Sequence, residues 1–307
     1  MKTGARMGEL DDVIVERRRL MSLAYRMTGT LADAEDIVQE TYLRWYRLDD
    51  AEREAIANPA GWLTRVASRV ALDVLGSARK RREQYVGQWL PEPVPADLFT
   101  GAASVTAAAL GDPLDRVTLD DTVSTALLVV LEAMTPAERV AFVLHDVFGL
   151  PFEEIAEIVG RSPAAVRQLA ATGRRHVREN RSSVVARDEH DRAVEAFRDA
   201  TLTGDLQALM RVLAPGVELR SDGGGVVSAA RNVVASPDRV ARFILGVAEK
   251  QAHLSMEQQR MGDGLGFVFR DGDTVMSVVN FRVEDGLIRD VWIMLNPEKL
   301  TGWRDGA

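Results

Sequence analysis

Apolar residues recur every three to four positions over the first quarter of the chain. Leu20, Leu23, Ala24 and Met27 form one stripe, and Ala34, Ile37, Val38, Thr41 and Trp45 a second, the period of helices that bury one face. A third helix opens with Asn58 as cap and Pro59 at its first position, turns Leu63, Val66, Ala67, Val70 and Val74 inward, and ends in the basic run Arg79-Lys80-Arg81-Arg82. From 86 to 121 the periodicity lapses. Pro91, Pro93, Pro95, Gly101, Gly111 and Pro113 interrupt the chain, and Glu92, Asp97, Asp112, Asp115, Asp120 and Asp121 stand against Arg116 alone, which predicts an acidic linker. Helical spacing returns over 121–133. Thr135 with Glu138 then makes a capping box, Pro136 takes the first helical position, and this helix stops near Gly149. Phe152, Ile155, Ala156 and Val159 share a short face that Gly160 ends, and Ser162-Pro163 starts a helix with Val166, Leu169, Ala170 and Val177 inward. Two short helices so closely spaced, the second basic, predict a helix-turn-helix.

After Arg187 the pattern changes. Helical stretches from Glu189 to Leu202 and from Leu206 to Leu213 precede a strand, Val217 to Arg220, a glycine turn, Asp222-Gly223-Gly224-Gly225, and a helix from Pro237 to about Lys250. The remainder alternates in period two, with Asp-Gly pairs at 263–264, 271–272 and 285–286 that mark the hairpins of an antiparallel meander. The expected fold is therefore multidomain: two all-α domains, 10–85 and 122–182, the second with the helix-turn-helix, joined by the linker 86–121 and followed by an α+β domain, 188–302.

Composition narrows the chemistry. With 307 residues, 46% of them hydrophobic, the chain can build more than one core and is neither disordered nor fibrous. The absence of cysteine excludes disulfides, zinc ribbons, iron–sulfur sites and thiol nucleophiles, and four histidines leave little for a transition metal. No cofactor is expected. No apolar run approaches the roughly 18 residues of a membrane span, and Met1 to Asp12 carries no signal-like apolar core, so a cytoplasmic protein without membrane contact is expected. The net charge of −8 argues against tight autonomous binding to duplex DNA, whose affinity comes from Lys and Arg neutralising phosphates. The charge is segregated, however. From Arg161 to Arg187 the residues Arg161, Arg167, Arg174, Arg175, Arg178, Arg181 and Arg187 oppose only Glu179.

Several constellations could act. Asp33, Asp36 and Glu40 fall at i, i+3 and i+7 of one helix, either a solvated face with a Glu40–Arg44 pair or an acidic docking surface. Trp62, Arg65 and Arg69 lie beside an apolar stripe, the ring-and-guanidinium combination on which single-stranded DNA stacks. The helix-turn-helix suits a major groove. His253, Asp222, Arg231, Asp263 and Asp290 are the polar candidates for acid–base work, but no pair has a spacing that forces convergence, and no catalytic residue is assigned.

Together, the stretches Leu31-Ala-Asp-Ala-Glu-Asp-Ile-Val-Gln-Glu-Thr41, Trp62-Leu-Thr-Arg-Val-Ala-Ser-Arg-Val70 and Thr135-Pro-Ala-Glu-Arg-Val140 with its helix-turn-helix resemble the extracytoplasmic-function sigma factors of bacterial RNA polymerase. The resemblance implies a region 2 that docks on the polymerase β′ subunit through Asp33, Glu35, Asp36, Gln39 and Glu40. It implies that Trp62, Arg65, Ser68, Arg69, Arg79, Lys80, Arg81 and Arg82 open and read the −10 promoter element, and that region 4 reads the −35 element with Ser162, Ala165, Arg167, Gln168, Arg174 and Arg175. The linker would thread the polymerase RNA-exit path, where Asp112, Asp115, Asp120 and Asp121 imitate the charge of nascent RNA. Core RNA polymerase, through β′ and β, and promoter DNA are the implied partners.

Beyond 187 the chain resembles the SnoaL-like extension of one subgroup of these factors, on three strings: Trp89-Leu90-Pro91-Glu92-Pro93, Asp222-Gly223-Gly224-Gly225 and Asn296-Pro297-Glu298-Lys299-Leu300. That fold is a cone-shaped curved sheet closed by helices, with room for a small-molecule ligand. The resemblance implies regulation in cis, the extension contacting the sigma core through its glycine turn and its tail. Val226 stands where the subgroup usually has Lys. Two other readings compete: a ligand-sensing helix-turn-helix repressor or activator, and a SnoaL-type enzyme fused to a DNA-binding module.

Overall fold

The computed structural model describes residues 3–83, 85–99, 124–180 and 186–303, with 3–15 and 78–83 described by their helical path alone. The linker acids Asp112, Asp115, Asp120 and Asp121, and the side chains of Arg79, Lys80, Arg81 and Arg82, lie outside the described residues. The chain divides into two compact units: within those bounds one takes residues up to 81, 97–99 and 130–179, and the other 82–96, 124–129 and 180–303.

The first unit is helical. Helices α1 (Thr3–Thr28) and α2 (Leu31–Arg47) are separated at Gly29, whose φ is 77°. Their stripes, Leu20, Leu23, Ala24 and Met27 with Ala34, Ile37 and Val38, are buried. A short α3 (Asp50–Glu54), closed by an Asp49–Glu52 capping box, buries no side chain and left no periodic trace in the sequence. Asn58 caps α4 (Pro59–Glu83), its Oδ1 accepting from the Gly61 amide at 3.0 Å. The division between units falls within α5 (Thr125–Glu132). Then come α6 (Pro136–Phe142), with the Thr135–Glu138 capping box, a π turn (Val143–Val147), α7 (Phe152–Val159), ended by Gly160 at φ 68°, and α8 (Pro163–Asn180). A Cβ at Gly173 would lie 2.8 Å from that of Phe142, so the α8 backbone approaches α6 as closely as only glycine permits. Buried Arg139 of α6 donates to the Met27 carbonyl at 2.7 Å and pairs with Glu132 at 2.6 Å.

The second unit holds α9 (Arg187–Thr203), α10 (Leu206–Val212), β1 (Leu213–Asp222), β2 (Val234–Ala235), α11 (Pro237–Lys250), β3 (Ser255–Met261), β4 (Gly264–Asp271), β5 (Thr274–Glu284) and β6 (Leu287–Met294), then two 3₁₀ turns, Pro297–Lys299 and Thr301–Trp303. The sheet order is β2-β1-β6-β5-β4-β3, parallel only between β1 and β6. The meander β3 to β6 is antiparallel, but its turns differ in detail from the expected Asp-Gly pairs. Met261 pairs with Gly264 and Asp271 with Thr274, so the two-residue loops there are Gly262-Asp263 and Gly272-Asp273. Only Asp285-Gly286, both at positive φ, has the order and backbone of a tight primed turn. The first strand is longer than Val217 to Arg220, since its pairing with β6 runs from Leu213 to Asp222 across a register shift.

Both faces of this sheet are covered. Val217, Leu219, Val279, Phe281, Val291 and Ile293 pack against α9, α10 and α11. On the opposite face Val268, Val278, Trp292 and Met294 are covered by Leu90 of the linker, by Ala126 and Val129 of α5, and by Leu300 and Trp303 of the tail. That alternation follows from the two-residue period of a strand.

Candidate functional site

The three strings of the extension subgroup meet around one carboxylate. Asp222, fully buried at the end of β1, accepts on Oδ1 from the Tyr85 hydroxyl at 2.5 Å and the Gly224 amide at 3.0 Å. On Oδ2 it accepts from the Leu90 amide at 2.9 Å and from Lys299 Nζ at 2.8 Å. Lys299 also donates to the Leu90 carbonyl at 2.6 Å and lies 4.1 Å from the ring centroid of Trp89 and 5.2 Å from that of Tyr85. A buried ammonium needs this treatment, a carboxylate, a carbonyl and two aromatic faces replacing water. Asn296 donates to the Tyr85 oxygen at 3.0 Å, and Trp303 Nε1 donates to the Pro93 carbonyl at 2.8 Å.

The glycines have a geometric reason. Gly224, at φ 65°, presses its backbone onto Asn296, whose Cγ would lie 2.6 Å from any added Cβ, and Gly223 faces the Val227 carbonyl. Pro91 is buried and Pro297 half-buried, while Gly225 and Val226 are exposed. Burial, and then the carboxylate of Asp222, pushes the Tyr85 hydroxyl well above the ordinary tyrosine pKa, which keeps it a donor. Tyr85 escaped the sequence reading: it is a lone aromatic where the helical period fails.

The first unit presents the other candidates. On α2, Glu35, Asp36 and Gln39 are exposed, Asp33 helps close the Thr30 cap, and Glu40 pairs with Arg44 at 2.8 Å. On α4, half-buried Trp62 meets Trp45 edge to face at 5.3 Å, while Arg65 and exposed Arg69 reach Glu157 of α7, at 4.0 Å to its carboxylate and 3.4 Å to its carbonyl. Against the exposure that DNA contact would need, Ser68 is fully buried and donates to the Thr64 carbonyl at 2.7 Å. On α8, Ser162 caps the helix through the Ala165 amide, Gln168 is exposed, and Arg167 pairs with Glu153 at 2.9 Å. Arg174 is held at 2.9 Å by buried Asp146, and Arg175 lies 3.9 Å from Glu179.

Three acid–base candidates of the C-terminal domain, Asp222, Asp263 and Asp290, are engaged elsewhere. Asp222 belongs to the cluster above, His253 is exposed, and the Arg231 carbonyl accepts from Gln88. Asp290 pairs with Arg282 at 2.6 Å; burial raises its pKa against the pull of Arg282, Arg289 and Arg220. Asp263 caps α5, and burial raises its pKa although the amides of Ala126 and Thr125 and nearby His190 pull it down. Among the described residues no group of three or more His, Asp or Glu is arranged to hold a metal, and no helix is long and apolar enough to cross a membrane.

Comparison with known proteins fits this layout. The sigma-70 region 2 model matches residues 14–82 and the sigma-70 region 4 model residues 124–177. The chain is 39% identical over 306 residues to the ECF RNA polymerase sigma factor SigJ of Mycobacterium tuberculosis, covering 96% of this chain and 94% of that one. It belongs to the extracytoplasmic-function sigma factors. Identity to the probable sigma factor SigI of the same organism is 38% over 290 residues, 92% of each chain. The crystal structure of SigJ superposes with a TM-score of 0.72 at 37% identity, covering 95% of this sigma factor and 98% of that chain. The likeness thus includes the C-terminal mixed sheet, the SnoaL-like extension, as well as the two helical regions.

Proposed function

We propose that this sigma factor joins core RNA polymerase, through β′ and β, to promoter DNA in the cytoplasm. Residues 10–85 act as region 2, 86–121 as connector, 122–182 as region 4 and 188–302 as a regulator in cis. The acids of α2, Asp33, Glu35, Asp36 and Glu40 with Gln39, dock the polymerase. Trp62, Arg65 and Arg69, with the run Arg79–Arg82, engage the −10 element, the ring stacking on bases and the guanidinium groups holding phosphates. Ser162, Ala165, Arg167, Gln168, Arg174 and Arg175 engage the −35 element from the major groove. The factor itself performs no covalent chemistry. Its net charge of −8 makes promoter affinity depend on the polymerase.

One observation carries the regulatory half: Trp89 and Leu90 at the start of the connector are bonded to Asp222 and Lys299, so the C-terminal domain holds the connector's first residues. Run-off transcription with core polymerase tests it, comparing the full chain with one ending at residue 187 and with Lys299→Ala. Both should differ from the full chain in transcript yield. Equal yields would remove the regulatory reading, and a full chain that shifts promoter DNA without polymerase at physiological salt would point to a repressor.

A further inference from the structure

The turn between β3 and β4 carries a carboxylate that none of these roles uses. Asp263 Oδ2 accepts from the Thr125 amide at 2.6 Å, and Oδ1 from the Ala126 amide at 3.0 Å. These are the first two residues of α5, and Ser124 before them accepts the Leu127 amide on its hydroxyl at 3.0 Å. The first turn of a helix leaves its N–H groups without intrahelical partners. Here three are satisfied, two of them by a side chain more than 130 positions along the chain. Asn280 of β5 donates to Thr125 Oγ1 at 2.7 Å in a buried contact, and Ala126 and Val129 pack against the apolar cluster that contains Val278, Trp292 and Met294. From Ala126 to Leu131 the helix is apolar on every side, and such a helix needs cover all round.

We propose that Asp263 is a positioning residue for region 4, fixing the first turn of α5 to the C-terminal sheet so that this domain governs how the −35 element is discriminated. The α5 helix opens the region 4 match, whereas its cap comes from the extension. The proposal rests on regulation in cis but concerns a different attachment: the Asp222–Lys299 cluster holds the connector, and Asp263 holds the entry to the helix-turn-helix. A cap on a neighbouring residue would have served stability equally well; only a distant one ties α5 to the sheet.

The test uses the full chain with core polymerase. Hydrogen exchange is followed at the Thr125 and Ala126 amides, and run-off transcription is measured on paired templates with intact and scrambled −35 elements. Asp263→Ala should raise exchange at those amides at least tenfold and change the transcript ratio between templates at least threefold. Asp263→Asn, which keeps one acceptor oxygen, should fall between it and the parent. Thr125→Val, which keeps the side-chain shape and both Asp263-bound amides but loses the hydroxyl's contacts with Asn280 and with the Asp263 carboxylate, should move the ratio in the same direction and decides the matter if Asp263→Ala does not fold. Unchanged exchange, or faster exchange with an unchanged ratio, overturns the proposal. If the ratio holds while Lys299→Ala alters total yield, this proposal fails and the cis reading stands; if neither variant changes anything, both fail.

Discussion

Replacing Lys299 by Met isolates the charge at the centre of the cluster. The side chain is 8% exposed and its partner Asp222 is wholly buried, so water cannot replace the ammonium. Removing one member of a buried pair costs about 3–5 kcal/mol. Asp222 retains donors from Tyr85, Gly224 and Leu90, and Met still fills the space against Trp89, which places the expected loss at about 3 kcal/mol. At about 2–4 °C per kcal/mol for a body of this size, the second unit should melt about 6–12 °C lower. Calorimetry of the full chain reads this directly. A double-mutant cycle with Asp222→Asn should return a coupling above about 1 kcal/mol, since the two groups touch. A loss below about 1 kcal/mol, or additive single effects, would mean that the ammonium is solvated and that the cluster is not what fastens the connector.

Other outcomes follow from named contacts. Tyr85 has its pKa raised on folding, so its contribution is complete below the free-tyrosine value near pH 10 and is lost as pH rises through the higher folded value. Denaturant unfolding at pH 9 and pH 11 should show a drop in stability that Tyr85→Phe diminishes; equal slopes in both proteins would refute it. Gly224→Ala should disrupt the Asn296 contact and cost at least the roughly 1–2 kcal/mol of a left-handed non-glycine residue, read as a lowered melting temperature and altered transcript yield. Arg139→Met removes a buried cation from Glu132 and the Met27 carbonyl and should cost about 3–5 kcal/mol in the first unit. Ser68→Ala should leave promoter opening unchanged while Arg69→Ala weakens it, measured by permanganate reactivity of the melted strand.

What could be read from the sequence was local. Asn58 before Pro59, the Thr135–Glu138 box and Gly160 are caps whose physics sits within four residues; the first two start their helices and the last ends its own where the spacing indicates. Ser68 follows Arg65 and precedes Arg69 on α4, yet its own position turns inward and its hydroxyl bonds one turn back, a difference of helical phase rather than of composition. The Asp-Gly pairs located the hairpins but misplaced two turns by one residue, since Gly262-Asp263-Gly264 offers two registers and strand pairing selects one. Tyr85 and the Asp263 cap were illegible: their partners, Asp222 and Thr125, lie more than 130 positions away, and no period links them.

The attachments also bracket the chain. The first part of the linker joins β3 through the Ala96 amide on the Arg260 carbonyl at 3.2 Å, α5 is held at Thr125, and Arg282 donates to the Asn180 carbonyl at 2.8 Å. Thr125 and Asn180, 55 positions apart in the chain, are therefore both held by side chains of the same sheet. If one tie opens, the other keeps the freed end at millimolar effective concentration, and it closes again. Losing both contacts at once is rarer than losing either, because for independent openings the frequency is the product of two small probabilities.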